Sequence, residues 1–226
     1  MPSRPKRTRF PSLLIIQADS EKLAADGLDL SEVARSVATL ATLISLARSQ
    51  VAKTSTFVSF QNLVRDAATR GNWDVVVIIG HSNAEGLRVA SDRFLGWDDV
   101  GRELRPLKPR RVVLIACKGG RASGANALFR RLRALRRIYA CPANCTKDLG
   151  KLMLGLVPAA VEKKAPRPES ILYAQGLAAL SVGGQLRHWM RDHDKDNPNG
   201  QLLDLVADLI DPHVRGLPQL VAALFS

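Results

Sequence analysis

Cysteine, aromatics and acidic residues are all scarce in this chain, and each shortage removes a class of explanation. Three cysteines among 226 residues cannot make the dense disulfide framework of a small secreted domain, and they suit a reducing, cytoplasmic compartment. Aromatics at 5% leave no stacking platform of the kind that reads single-stranded RNA, and no helix-turn-helix or zinc-finger spacing replaces it. No apolar run reaches the roughly 20 residues that span a bilayer. The segment Met1-Pro2-Ser3-Arg4-Pro5-Lys6-Arg7-Thr8-Arg9 is basic and lacks the apolar centre of a secretory signal. Internal repeats and low-complexity tracts are absent too. Neither a membrane nor a specific nucleic acid is therefore expected as a partner.

Basic residues are in excess: 33 Lys and Arg against 21 Asp and Glu give a net charge of +12. Much of it lies in the N-terminal arm and in Arg121, Arg130, Arg131, Arg133, Arg136 and Arg137. Those arginines flank Leu128, Phe129, Leu132 and Leu135, whose spacing predicts an amphipathic helix with a solvated basic face. Such a face permits non-specific affinity for polyanions without being a recognition surface.

A hydrophobic content of 46% over this length supports one substantial core. Strand and helix patterns alternate along it. Strands are predicted at Leu13 to Gln17, Thr56 to Phe60, Val75 to Ile79, Val112 to Ala116 and Arg137 to Cys141. Helices are predicted at Leu30 to Ser49, Asn62 to Thr69, from Asp98, across the arginine cluster and at Leu149 to Val161, with a small hairpin from Gly86-Leu87 to Phe94-Leu95. This alternation is that of a mostly parallel sheet with helices on both faces. Residues 1–10 read as a basic flexible arm, 11–161 as the α/β domain, 162–169 as an exposed linker rich in charge and proline, and 170–226 as a helical segment. Helical spacing in that last segment covers Ile171 to Arg191 and Leu202 to Ile210.

Chemistry concentrates where two strands end. Val75-Val76-Val77-Ile78-Ile79-Gly80-His81 releases a histidine, and Val112-Val113-Leu114-Ile115-Ala116-Cys117-Lys118-Gly119-Gly120 releases a cysteine. If the two runs are neighbouring parallel strands, His81 and Cys117 emerge side by side at the carboxyl edge, where sites form in such sheets. An imidazole beside a thiol favours the attacking thiolate and can later protonate a leaving amine. The glycines that follow let backbone N–H groups approach an oxyanion.

Ile115-Ala116-Cys117-Lys118-Gly119-Gly120, with a histidine 36 positions upstream, resembles the nucleophile segment of caspase-like (clan CD) cysteine peptidases, and the histidine spacing resembles their bacterial CHAT-domain branch. The resemblance covers roughly residues 11 to 160. It implies a caspase-like α/β fold and a thiol protease with Cys117 as nucleophile and His81 as general base and acid. It also implies an oxyanion site made by backbone N–H groups near Ser82 and Cys117, and it requires no cofactor. A partner protein would be the substrate, in regulated proteolysis of the bacterial defence or cell-death kind. Ser82 stands where the family has Gly, and Ile115 stands two residues before the cysteine, where basic-specific relatives often carry Asp. The resemblance further implies that the loop carrying Asp19 and Glu21 lies near the pocket for the side chain preceding the cut, as in caspase-like folds, which makes Asp19 the candidate substrate-binding residue, favouring Arg or Lys.

Other readings compete. A caspase-like domain that has lost catalysis would be an interaction module. Gly80-His81-Ser82-Asn83-Ala84 also resembles the G-x-S-x-G elbow of α/β-hydrolases, with Ser82 as nucleophile and a triad histidine to be drawn from His188, His193 or His213. That elbow requires a helix directly after the serine, and the following residues alternate like short strands instead. No metal is expected: Asp192, Asp194 and Asp196 open like a calcium loop that Asn197 and Leu203 break, and Cys141 and Cys145 lack a second ligand pair.

Overall fold

The computed structural model describes residues 11–45, 48–140, 144, 145, 147, 150, 151, 154, 157 and 187–190. The first half contains β1 (Ser12–Gln17), α1 (Ser20–Ala25), α2 (Ser31–Ser45), β2 (Arg48–Lys53), α3 (Phe57–Thr69) and β3 (Val75–Ile79). There follow β4 (Gly86–Ala90), β5 (Arg93–Gly96), α4 (Trp97–Leu104), β6 (Arg111–Ile115), α5 (Ala122–Arg131), β7 (Arg137–Ala140) and β8 (Arg187–Met190). Six strands form one sheet in the order β2-β1-β3-β6-β7-β8, parallel throughout except for the last pair. β4 and β5 make a separate antiparallel hairpin.

β1 and β3 are buried along their whole lengths, as strands covered on both faces must be, and this is why they read as unbroken apolar runs. Alternate residues serve opposite layers. Leu14, Ile16, Val76, Ile78 and Leu114 join the cluster beneath α3, α4 and α5, whereas Leu13, Ile15, Val77, Ile79 and Ile115 join Leu23, Leu30 and Ala34 of the α1–α2 side. Each such Leu, Ile or Val stabilises the fold by about 1.5–3 kcal/mol.

Three expectations need correction. The second strand is β2, Arg48–Lys53, and not Thr56 to Phe60; the long helix stops at Ser45 accordingly. Thr56 instead opens α3: its hydroxyl accepts from the Ser59 N–H at 3.1 Å, and the Ser59 hydroxyl accepts from the Thr56 N–H at 3.1 Å. This reciprocal capping box commits the segment to helix. β2 is an edge strand with no fully buried residue, so it lacks the apolar signature that betrays a central strand. The second correction is β8: the helical spacing of Ile171 to Arg191 gives way at Arg187–Met190 to a strand antiparallel to β7, because the open hydrogen-bonding row of β7 outweighs local periodicity. Third, α5 ends at Arg131, so Arg133, Arg136 and Arg137 leave the expected basic helix face, although Leu132 and Leu135 are still buried.

The helix expected at Leu149 to Val161 is represented by helical positions 147, 150, 151, 154 and 157, with Leu154 and Val157 buried. The arm at 1–10, the linker at 162–169, Cys141, the Leu202 to Ile210 helix and the turn of Asp192, Asp194 and Asp196 lie outside the described residues. No helix among the described residues is long and apolar enough to cross a membrane.

Candidate active site

The carboxyl ends of β1, β3 and β6 are held level by hydrogen bonds that continue past the strands. Ala18 N–H donates to Ile79 O at 2.9 Å and Gly80 N–H donates to Ile115 O at 3.1 Å. Asp19, His81 and Cys117 each stand two residues beyond their strand, so one register delivers all three to the same edge. The sequence placed them there correctly; their partners are what the fold adds.

His81 is 26% exposed, and its Nε2 lies 3.1 Å from Oδ2 of Asp26, a residue just past α1. Its carbonyl accepts from Arg88 N–H at 2.8 Å, which ties the histidine loop to the β4–β5 hairpin. Asp26 also accepts from Lys22 Nζ at 2.8 Å. That bond, with the charges of Lys22, His81 and Arg88, holds the Asp26 carboxyl below the usual carboxylate range. An anion thus faces the imidazole at neutral pH.

Cys117 sits in a tight turn after β6, in which Gly119 N–H donates to Ala116 O at 3.3 Å and Lys118 takes a left-handed φ of 55°. A side chain in that region is uncommon and marks a backbone held in place by its surroundings. The thiol Sγ accepts from Cys145 N–H at 3.3 Å. The Ser82 hydroxyl donates to the Cys117 carbonyl and so clasps the two loops together. Among the described residues, neither the Ser82 nor the Cys117 backbone N–H donates to a partner, which leaves both able to serve an oxygen anion.

His81 and Cys117 both line one small cleft. Its floor is apolar, from Ile79 and Ile115 at the strand ends, and Leu23, Leu28 and Leu30 wall it on the α1–α2 side. Cys145 and Lys147 also border it. Gly150 is what lets the following helix sit close: a Cβ there would come within 2.6 Å of Leu30 Cδ1.

Asp19 reaches the same sheet edge but does not line this cleft. It is 1% exposed, and its Oδ2 is 2.9 Å from Arg88 Nε. Direct binding of a basic substrate side chain by Asp19 requires that pair to open. The hydrolase elbow fails on geometry, since a strand pair and not a helix follows Ser82, whose hydroxyl is committed to Cys117. Among the described residues no three His, Cys, Asp or Glu side chains gather as a metal site.

Asp26 and the leucine wall were not singled out from the sequence, and Cys145 was weighed there only as a metal ligand and not as a neighbour of Cys117. Asp26-Gly27, with Gly27 at φ 68°, reads locally as a helix end. Nothing in its spacing connects it to a histidine 55 residues later.

No protein-family model and no curated protein matches the chain. Solved structures do. An inactive zymogen C11 protease from Parabacteroides distasonis aligns over 91% of this chain and 66% of its own length, with a TM-score of 0.58 at 13% identity. A secreted C11 cysteine protease from Bacteroides thetaiotaomicron, solved with an irreversible peptide inhibitor, aligns over 75% of this chain and 59% of its own, with a TM-score of 0.54 at 10% identity. The chain therefore spans just under two thirds of these neighbours and shares with them the caspase-like α/β fold.

Proposed function

We propose that this chain is a caspase-like cysteine endopeptidase whose catalytic pair is His81 and Cys117. The observation that carries the reading is that two neighbouring parallel strands, β3 and β6, deliver an imidazole and a thiol to one cleft. The Cys117 thiolate attacks the scissile carbonyl carbon after its proton passes to His81. The carbonyl oxygen becomes an anion, received by the backbone N–H groups of Ser82 and Cys117. Collapse of that intermediate breaks the C–N bond as His81 returns the proton to the leaving amine. Water, deprotonated by His81, then releases the acyl group from sulfur. Asp26 positions the imidazole from its far nitrogen. No cofactor takes part.

The finer assignment we favour is the CHAT-domain branch, acting in the cytoplasm on a single partner protein in bacterial defence or cell death. It rests on the Ala-Cys-x-Gly segment and the 36-residue histidine spacing. The competing reading is a catalytically silent interaction module. Peptidyl electrophiles separate the two. The Bacteroides neighbour binds an irreversible peptide inhibitor, and a compound of that class should alkylate Cys117 in preference to Cys145, with labelling and peptide cleavage both lost in Cys117→Ala. Equal labelling of the two cysteines in the native fold, with no peptide cleaved, would establish the silent module.

A further inference from the structure

We infer that Cys145 is the resolving partner of Cys117, so that the two form a site of oxidative modification at which a peroxide drives a reversible Cys117–Cys145 disulfide. Cys117 Sγ accepts from Cys145 N–H at 3.3 Å and approaches Cys145 O at 3.9 Å. Both contacts are to one residue, so the sulfur rests against the backbone from which the second thiol springs. With an N–Cα bond of about 1.46 Å, Sγ is at most about 4.8 Å from Cys145 Cα. A cysteine side chain and an S–S bond of about 2.05 Å nearly cover that span. The two thiols are half-buried, unbridged and line the same cleft.

The cleft, as the described residues bound it, has room for a molecule about the size of water, which hydrogen peroxide approximates and a bulky oxidant does not. His81 lines it too, as the base that takes the Cys117 proton. The thiolate attacks one peroxide oxygen: an S–O bond forms, the O–O bond breaks, and the hydroxide that leaves takes the proton from His81 to become water. Sulfur has given up two electrons. The Cys145 sulfur then attacks the sulfenic sulfur of Cys117; the S–S bond forms, the S–O bond breaks, and the departing hydroxide leaves as a second water with the Cys145 proton. Two thiols and one peroxide thus yield one disulfide and two waters, and a dithiol reductant reverses the change. Disulfides of cytosolic proteins are transient and redox-sensing, which fits the compartment proposed above. The loss of the nucleophile as a consequence for catalysis rests on the peptidase reading; the bond itself does not.

The test treats the full-length protein with hydrogen peroxide, blocks the remaining thiols with iodoacetamide and maps tryptic peptides by mass spectrometry. The Cys117 peptide, residues 112–118, is expected joined to residues 138–147, two hydrogens lighter than their sum, and released by dithiothreitol. The second peptide also carries Cys141, so the link must persist in Cys141→Ser and vanish in Cys145→Ser. In Cys145→Ser the sulfenic acid lacks its resolving thiol and runs on to sulfinic acid, so dithiothreitol should return under about a third as much Cys117 thiol as in the native protein. A link that survives Cys145→Ser overturns the inference. So does native Cys117 that peroxide leaves unoxidised or carries to sulfinic acid with no link formed. The native map depends on neither a variant nor turnover. Peptide cleavage lost in step with the link and regained with dithiothreitol supports both readings, whereas a linked protein that still cleaves peptides, or one whose reduced form never does, keeps the disulfide and removes the peptidase.

Discussion

At the scale of single residues, His81 is the member of the site with the most defined surroundings. Its backbone carbonyl is fixed by Arg88 N–H, and its ring faces the Asp26 carboxylate through Nε2 at 3.1 Å. Removing it in His81→Ala should cost at least about 100-fold in kcat/KM, the contribution of general acid–base catalysis; a loss under tenfold would separate His81 from the reaction. Asp26 acts through His81 and its removal is correspondingly milder. Asp26→Asn keeps the shape and removes the charge, and should lower kcat about tenfold with little change in KM, with Asp26→Glu restoring much of it. A KM effect alone would mean that Asp26 serves the cleft wall instead. The Asp26 carboxyl titrates below its ordinary value because Lys22 bonds it. The anion beside His81 is therefore present through the neutral range and is lost only as pH falls below about 4.

Elements matter through how closely they approach. The β4–β5 hairpin carries Arg88, which meets both Asp19 and His81, and its closure depends on Gly86: a Cβ there would stand 2.0 Å from Leu95 O. Gly86→Ala cannot be absorbed by a side-chain rotation, because the obstacle is backbone. A loss of about 3 kcal/mol, at the upper end of ordinary overpacking, is expected from urea unfolding, with falling activity as His81 loses its tether. Unchanged stability would mean that the hairpin register is not the one described. α4 and α5 are joined by Asp98, which accepts from Arg130 Nη2 at 2.8 Å and Arg131 Nε at 3.0 Å. The Arg130 bond first, and Arg131 with it, holds that carboxyl below its usual range. Its folded pKa being depressed, the pair contributes stability above the unfolded value of about 3.9 and loses it as pH falls through the folded one. Asp98→Asn should cost about 0.2–1 kcal/mol at pH 7, the range for exposed pairs. The difference should shrink toward pH 2; a pH-independent cost would assign Asp98 a packing role.

Over the whole molecule, one sheet both builds the core and sets the site. Its far side is completed by β8, which arrives from a distant part of the chain to pair with β7. Ending the chain before Arg187 would leave β7 as an open edge, so a lower Tm and concentration-dependent self-association in light scattering are expected; a monomer of unchanged Tm would show that β8 is dispensable. Much of this architecture is written locally. The apolar runs of β1, β3 and β6 announce buried parallel strands, and because a strand end is a local event, the residues just beyond it, His81 and Cys117, could be named from the sequence. Residues whose role depends on where another part of the chain returns could not. β2 carries too little apolar residue to identify itself, β8 is a strand only because β7 offers it a partner, and Asp26 faces His81 only because α1 folds back over the sheet edge. The destination of Asp19 was likewise settled by the hairpin that brings Arg88 to it. Periodicity and turn chemistry act over a few residues and so specify elements, whereas a carboxylate's partner and a cleft's lining are set by long-range packing, which no local pattern encodes.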